Sequence, residues 1–207
     1  MTRSWEKYAH AAEGWSDDAY ADASTYLAQR ARLVRTLGPA LAPGDVVLDL
    51  ACGDGGLADF LSGLDYVGVD ASPEMVAAAQ RRGRRVVLAD LNEYEPSVPV
   101  QATTIFRAVY YARDRRVLLA RIAGYTEKKL VFDLNPRQYR LADVRADLLA
   151  AGFDRLELRP FFVPQTVAAK APLAQLLRLA ERIGPVARLV LRARFTYMCS
   201  AYRSDAR

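Results

Sequence analysis

Short apolar runs alternate with helical patterns along most of the chain. Runs of this length rich in β-branched residues are typical of buried strands, whereas apolar residues three or four positions apart are typical of amphipathic helices. Strands that alternate with helices indicate an α/β fold, a mostly parallel sheet with helices on both faces. The pattern predicts strands at residues 46–49, 66–70, 86–91, 101–106, 129–134, 156–163 and 195–202.

Helices are predicted around and between these strands. Residues 4–36 have a helical pattern that breaks near Gly14, and Ser16 is the expected N-cap after the break. Ser72 and Pro73 suit the N-cap and the first position of a helix. Gly152 suits the residue that follows a helix end. The other helices are predicted at residues 57–61, 113–123 and 141–151.

A glycine-rich turn follows the first strand. Asp49 ends the apolar run, and Gly53, Gly55 and Gly56 follow it. Glycine permits a positive φ and lets a ligand approach the backbone, so a strand, a glycine turn and a helix form a cradle for a nucleotide cofactor. With Ala58 the turn fits a dinucleotide fingerprint, and NAD is therefore one candidate. Asp49 argues against NAD, because a carboxylate repels a pyrophosphate and attracts an ammonium or sulfonium group.

Two further strands lead into an acid. Asp70 ends the second strand, at the spacing where a carboxylate can accept both hydroxyls of a ribose. Asp90 ends the third. Three consecutive strands that each end in aspartate form a pattern that single surface acids would rarely produce. The pattern indicates one acidic cofactor site along the carboxyl edge of the sheet.

Residues 49–55, Asp-Leu-Ala-Cys-Gly-Asp-Gly, resemble motif I of the class I S-adenosylmethionine-dependent methyltransferases of small-molecule type. The resemblance implies a Rossmann-like seven-stranded sheet of order 3-2-1-4-5-7-6, with strand seven antiparallel. It implies S-adenosylmethionine as cofactor and S-adenosylhomocysteine as product, with Asp90 at the adenine amine. Arg30 or Arg107 is expected at the cofactor's methionine carboxylate. The expected cofactor-binding residues are Asp49, Ala51, Cys52, Gly53, Gly55, Asp70, Ala71, Met75, Asp90, Leu91 and Arg107.

The residues after the fourth strand face the methyl donor in the resembled family. Here they include Tyr110 and Tyr111, which we predict as catalytic candidates together with His10. Asp114 is a weaker candidate, and a general base is needed only if the acceptor must lose a proton. The (Asn/Asp)-Pro-Pro-(Tyr/Phe) motif of amino-methylating nucleic-acid enzymes is absent after this strand, which argues against a nucleic-acid base as acceptor.

Two segments are expected to complete the substrate pocket. Residues 1–36 are predicted as a helical lid with Tyr8, Trp15 and Tyr20, although simple packing on the sheet edge is equally compatible with the sequence. Residues 171–194 form an apolar, arginine-bearing helical insertion between strands six and seven. A packed lid and a membrane-surface element both fit this insertion. The aromatic and aliphatic pocket elements favour a small or lipid-like acceptor.

Composition adds further expectations. The 207 residues suit a single domain spanning residues 1–207. The net charge of +5 and the Arg-rich cluster at 81–85 make RNA a candidate, but the cluster is expected on the sheet side away from the cofactor. No apolar run of 18 residues and no signal-peptide core is found, so cytoplasm is the expected location. One histidine and two cysteines suggest no metal site. An RNA or protein methyltransferase and a non-catalytic cofactor-binding protein remain alternatives.

Overall fold

Seven strands form one sheet in the order β3-β2-β1-β4-β5-β7-β6, which confirms the expected topology. The structure is a computed structural model that describes residues 14–163, 175–177 and 196–206, with Ala12, Gln165 and Leu179. The strand β7 runs antiparallel to both β5 and β6, and the other pairs are parallel. The strands are β1 (Val46–Leu50), β2 (Asp65–Asp70), β3 (Val86–Leu88), β4 (Val100–Ile105), β5 (Thr126–Leu134), β6 (Arg155–Phe161) and β7 (Thr196–Tyr202).

Five α-helices accompany the sheet within residues 14–163. They are α1 (Trp15–Ala19), α2 (Ala23–Thr36), α3 (Pro73–Arg81), α4 (Arg115–Tyr125) and α5 (Leu141–Ala150). The helix predicted after the glycine turn is a 3-10 helix, Gly56–Phe60. None of the described helices is long and apolar enough to cross a bilayer.

The helix ends show which local predictions hold. Ser72 caps α3 by accepting the Met75 amide at 3.3 Å, with Pro73 at the first helical position. Gly152 follows α5 with a φ of 99°. Both predictions are confirmed. The expected N-cap at Ser16 is wrong, because Gly14 occupies that position in a left-handed conformation and Ser16 lies within α1.

Two apolar layers cover the two faces of the sheet. Consecutive strand residues point to opposite faces, so Val47 packs with Leu33 of α2 while Leu48 packs with Ile122 of α4. All four side chains are fully buried. Helix α2 is therefore fixed to the sheet by buried apolar contacts.

The sheet reverses its strand order between β1 and β4. Strand β1 pairs with β2 on one side and with β4 on the other. In open α/β sheets a crevice forms outside the carboxyl ends of the strands at such a reversal, and ligands bind there. A functional site is therefore expected among the residues at the carboxyl ends of β1, β2, β3 and β4.

Candidate active site

One cavity of about 840 Å³ lies at the carboxyl ends of β1 to β4. This volume is within the usual range of small-molecule sites. Residues from the glycine turn, from both sides of the sheet reversal and from α1 line it together. Its lining includes these predicted site residues: Trp15, Tyr20, Asp49, Ala51, Cys52, Gly53, Asp70, Ala71, Met75, Asp90, Leu91, Arg107, Tyr110 and Tyr111.

Gly55 is the described cofactor-site candidate that does not line the cavity. Its φ of 71° is a left-handed conformation that favours glycine. A Cβ added there would lie 3.2 Å from Cγ of Arg84, away from the cavity. Its neighbour Gly56 lines the cavity instead. Gly55 therefore allows the backbone of the turn to adopt a left-handed conformation and to pack closely against Arg84.

Asp49 is a buried carboxylate held by two hydroxyl groups. Thr104 Oγ1 donates to Asp49 Oδ1 at 2.6 Å, and Tyr66 Oη donates to Oδ2 at 2.9 Å. Burial raises the pKa of Asp49 to about 6, although both hydrogen bonds act in the opposite direction. A cationic ligand in the cavity would stabilise the charged form of this carboxyl group.

Asp70 fastens the glycine turn to the end of β2. Its Oδ2 accepts the Gly53 amide at 2.8 Å, and its Oδ1 accepts the Ser72 amide at 2.9 Å. Each carboxylate oxygen has two lone pairs, so each can accept one more hydrogen bond. The half-buried carboxylate thus faces the cavity with the acceptor capacity that two neighbouring hydroxyl groups require.

Asp90 lies two residues beyond β3 and takes part in a local network that the sequence did not indicate. Its Oδ1 accepts the Asn92 amide at 2.8 Å, and its Oδ2 accepts Arg113 Nη2 at 2.7 Å. Arg113 also contacts Glu93. The two carboxylates therefore neutralise Arg113 at this end of the cavity.

Tyr110 and Tyr111 form a short 3-10 turn beside the same network. Their hydroxyl groups lie 3.3 Å apart, and the Asn92 side chain donates to the Tyr111 carbonyl at 3.2 Å. Both tyrosines line the cavity on the side of Asp90. Asp114, the weaker base candidate, is a helix cap instead: its carboxylate accepts the Arg116 amide at 2.8 Å at the start of α4.

Helix α1 packs directly on the glycine turn. A Cβ added to Gly53 would lie 3.0 Å from Cδ1 of Trp15, and one added to Gly56 would overlap with Ser16 Oγ. The glycines of this turn therefore make room for α1 as well as for a ligand. The lid role of residues 1–36 stays a prediction. Of the three lid candidates, Trp15 and Tyr20 are described, and both line the cavity.

Two arginines of the cluster at 81–85 form ion pairs with the glycine turn and the 3-10 helix after it. Arg82 donates to Asp54 at 2.6 Å and to Asp59 at 2.5 Å, and Arg84 also pairs with Asp59. Asp54 is only 1% exposed. Two arginines of the cluster thus hold α3 and the glycine turn together.

Cys52 is a packing residue at the turn. Its side chain fills the space beside Gly68 of β2, where an added Cβ would come within 2.7 Å of Cys52 Sγ. Burial raises the pKa of the thiol well above its usual range. A neutral, packed thiol is a poor nucleophile. Within the described ranges, no group of three or more His, Cys, Asp or Glu side chains could hold a metal ion.

Some predicted residues lie outside the part of the chain that the structure describes. They are Tyr8, His10 and most of residues 171–194. The expectations for these positions stay predictions.

The sheet order, the antiparallel β7 and the cavity at the strand reversal define the Rossmann-like fold of S-adenosylmethionine-dependent methyltransferases. Residues 47–129 match the family described as "Methyltransferase domain". The matched range contains β2 to β4, all of β1 except its first residue, the glycine turn and all three acids.

A relative of known name matches part of the chain as well. The chain is 34% identical over 79 residues to trans-aconitate 2-methyltransferase of Mycobacterium tuberculosis, a match that covers 36% of this chain and 30% of that protein. The match thus spans less than a third of the curated relative's length.

Solved structures share the fold along most of the chain. A TehB-like S-adenosylmethionine-dependent methyltransferase from Corynebacterium glutamicum has a TM-score of 0.65 at 20% identity, and the match covers 96% of this chain and 97% of that one. Haemonchus contortus phosphoethanolamine N-methyltransferase 2, in complex with phosphomonomethylethanolamine and S-adenosylhomocysteine, has a TM-score of 0.60 at 16% identity. That match covers 84% of this chain and 52% of the other.

Proposed function

We propose that the protein transfers a methyl group from S-adenosylmethionine to a small-molecule acceptor. The observation that carries the proposal is the cavity itself. It brings together the acids at the carboxyl ends of three successive strands and the glycine turn between the first two strands. The family match over residues 47–129 supports it.

The residues present fit this cofactor. Asp49 places a buried carboxylate where a ligand with an ammonium or sulfonium group is attracted. Asp70 keeps free acceptor capacity on both oxygens, as a ribose diol requires. When bound, the cofactor supplies a methyl group already activated by its positive sulfur.

Because the methyl group is already activated, the main contribution of the protein is to position the donor and the acceptor relative to each other. Proximity and orientation supply up to ~7–11 kcal/mol in favourable cases. Asp49 and Asp70 would hold the donor, while Trp15 of α1 shields the glycine turn from water. Tyr110 and Tyr111 lie beside Asp90, so we assign them first to the cavity wall. Either one becomes a general base only if the acceptor must lose a proton.

A small acceptor fits the cavity better than RNA does. The cavity continues past the three acids to Phe106 and Arg107 beyond β4, which leaves space for a second molecule beside the cofactor. The cluster at 81–85 was the main argument for RNA, and its ion pairs to Asp54 and Asp59 give it a structural task. Two of the named proteins carry a small molecule in their descriptions, trans-aconitate in one and a phosphorylated amine in the other.

Three finer expectations stay part of the proposal. A lipid-like acceptor rests on the aromatic and aliphatic residues expected around the pocket. A membrane-surface role rests on residues 171–194, most of which lie outside the described ranges. A cytoplasmic location rests on the sequence alone.

An acceptor screen tests the proposal. The protein and S-adenosylmethionine are incubated with pools of small acids, phenols, amines and phosphorylated amines, and separately with bulk RNA and bulk protein. Formation of S-adenosylhomocysteine is measured. We expect product with a small-molecule pool from the wild type and from Asp65→Asn, a control at the exposed start of β2, and much less from Asp70→Asn. Product only with RNA or protein contradicts the proposed acceptor class. Cofactor binding without product in any pool indicates a non-catalytic binding protein.

A further inference from the structure

The cavity has an acidic side and a basic side. The three acids described above lie at the ends of β1, β2 and β3. Two arginines line the opposite side, near β4 and β5. Arg107 lies two residues beyond β4, and Arg30 reaches the same place from α2, with Nη2 3.7 Å from Oδ2 of Asp133 on β5.

Arg30 is a buried cation in an aromatic enclosure. Its guanidinium carbon lies 4.3 Å from the ring centre of Phe106 and 4.8 Å from that of Tyr26. The side chain is 4% exposed. Its Nη1 donates to Tyr20 Oη at 3.3 Å and its Nη2 to Tyr26 Oη at 3.1 Å, whereas Nε has no hydrogen-bond partner among the described residues. The guanidinium of Arg30 is therefore held in a fixed position, but one of its hydrogen-bond donors, Nε, is left without an acceptor among the described residues.

Arg107 is held beside it in a strained conformation. Its φ of 53° is uncommon for a residue other than glycine. The Arg107 amide donates to Asp133 Oδ1 at 2.6 Å, which stabilises this conformation. Its guanidinium lies 5.8 Å from the Tyr20 ring centre. With its amide oxygen turned inward, Gln165 accepts from Arg107 Nη1 at 3.2 Å and Nη2 at 3.3 Å. Strain of this kind concentrates at functional sites.

The charges at this end of the cavity do not balance among the described residues. Arg30 and Arg107 carry two positive charges. Asp133 is the acid in direct contact with them, and Asp49, whose pKa Arg30 lowers, acts at longer range and also faces the cationic donor. Burial alone would lower the pKa of Arg30, but the neighbouring tyrosines and Asp133 raise it above its usual value, so the guanidinium stays charged. A buried, uncompensated charge is unfavourable, and an anionic ligand would remove that cost.

We propose that Arg30 and Arg107, either of which was expected from the sequence at the cofactor's methionine carboxylate, instead form a subsite for a carboxylate or phosphate group of the methyl acceptor. The inference rests on the proposed function and narrows the acceptor to an anionic molecule. Planar guanidinium groups bind such groups through paired hydrogen bonds. The acidic side then attracts the cationic donor and the basic side the anionic acceptor, so the two substrates are oriented by opposite charges.

The first measurement separates the acceptor from the cofactor's own carboxylate, which has the same chemistry. Calorimetric titration with S-adenosylhomocysteine is done on the wild type, Arg107→Gln and Arg30→Lys, with Arg145→Gln on the exposed face of α5 as the control. We expect affinities within threefold of each other. A loss of tenfold or more in both site variants, with the control unchanged, assigns the pair to the cofactor and overturns the proposal. No binding to the wild type would contradict the proposed function itself.

The second measurement uses matched anionic and neutral probes on protein saturated with S-adenosylhomocysteine. The pairs are benzoate and benzamide, phenyl phosphate and phenol, and trans-aconitate and its trimethyl ester. We expect at least one anion to bind while its neutral partner does not, with at least tenfold weaker binding to Arg107→Gln. Arg30→Lys keeps the positive charge but loses the paired hydrogen-bond donors of the guanidinium, so it should also weaken binding of the anion. Failure of all three anions to bind, or equal binding of anion and neutral partner, overturns the proposal.

Discussion

Ser16 and Asp54 are joined by two hydrogen bonds across 38 positions of sequence. The Ser16 amide donates to Oδ2 at 3.2 Å, and Ser16 Oγ donates to Oδ1 at 2.5 Å. Asp54 lies between two glycines of the turn, and Arg82, the residue directly after α3, donates to it as well. One buried carboxylate therefore joins α1, the glycine turn and α3, and it holds Trp15 over the cavity.

Removing the Ser16 hydroxyl should loosen α1 without unfolding the protein. The change Ser16→Ala removes one bond to a charged acceptor, worth ~1.5–3 kcal/mol locally. We expect faster amide hydrogen exchange in residues 15–19 and faster dissociation of S-adenosylhomocysteine. Ser62→Ala serves as the control, because only the Ser62 carbonyl has a described partner, Arg35. Equal exchange in both variants would show that this bond does not hold α1.

A methyl group at Gly56 should displace α1. The added Cβ of Gly56→Ala would overlap with Ser16 Oγ and lie 3.2 Å from Leu27 Cδ1. Overpacking of this kind costs ~1–3 kcal/mol. Gly124→Ala is the matched control, since Gly124 lies in α4 with open space around it, and alanine there should stabilise by ~0.5–1 kcal/mol. Denaturant unfolding measures both. A neutral Gly56→Ala would mean that α1 and the turn are not in contact.

Cofactor affinity should depend on pH through Asp49. The pKa of this carboxyl group is raised to about 6 by burial, so it is charged above that pH and neutral below it. A cationic ligand prefers the charged form, and binding should weaken by up to ~tenfold for each pH unit below 6. Calorimetry with S-adenosylmethionine between pH 5 and 7.5 measures the dependence. Asp49→Asn should bind more weakly and show a flatter profile. The same slope in this variant would exclude Asp49 as the titrating group.

Lys129 should make stability rise with pH above neutrality. Its side chain is fully buried. Its Nζ donates to the carbonyl of Arg35 in the last turn of α2 at 3.3 Å, and to the carbonyl of Leu37 just after α2 at 2.9 Å. Burial lowers its pKa to about 8. Between pH 8 and the ordinary lysine pKa, the unfolded chain holds more protons than the folded one, so this group alone increases stability by about 1 kcal/mol per pH unit.

Comparison with Lys129→Met isolates that contribution from other groups that titrate in this range. The free energy of unfolding is measured for both proteins at pH 8 and pH 9.5. The free energy of unfolding of the wild type should increase relative to that of Lys129→Met as the pH rises. Lys128→Met is the control, because Lys128 pairs with Asp45. An identical pH dependence in wild type and Lys129→Met would contradict the assignment.

The sequence indicated the parts of the site that lie close together along the chain. Asp49, Asp70 and Asp90 each follow an apolar run, and this local pattern placed them at one edge of the sheet. The cap at Ser72 was also recognisable, since Ser, Pro and the following helix are adjacent. The family resemblance added the strand order, which no local pattern contains.

Contacts between distant segments could not be predicted in this way. Ser16 was expected to cap a helix, but its partner Asp54 belongs to the turn after β1. Asp114 was a candidate base and is a cap. The fifth strand starts at Thr126, before the predicted position, because Thr126 already pairs with Val100 of β4. The sequence alone did not pair the arginines of the cavity with Asp133.

Parallel calorimetric titration with S-adenosylmethionine, S-adenosylhomocysteine and NAD tests the central claim most directly. It is done on the wild type, on Asp70→Asn, and on Asp65→Asn as the control. We expect the wild type and Asp65→Asn to bind the first two ligands and not NAD. Asp70→Asn should lose at least tenfold in affinity, as expected from a charge-assisted bond of ~1.5–3 kcal/mol. Binding of NAD alone, or equal affinities in the two variants, would contradict the assignment of this cavity.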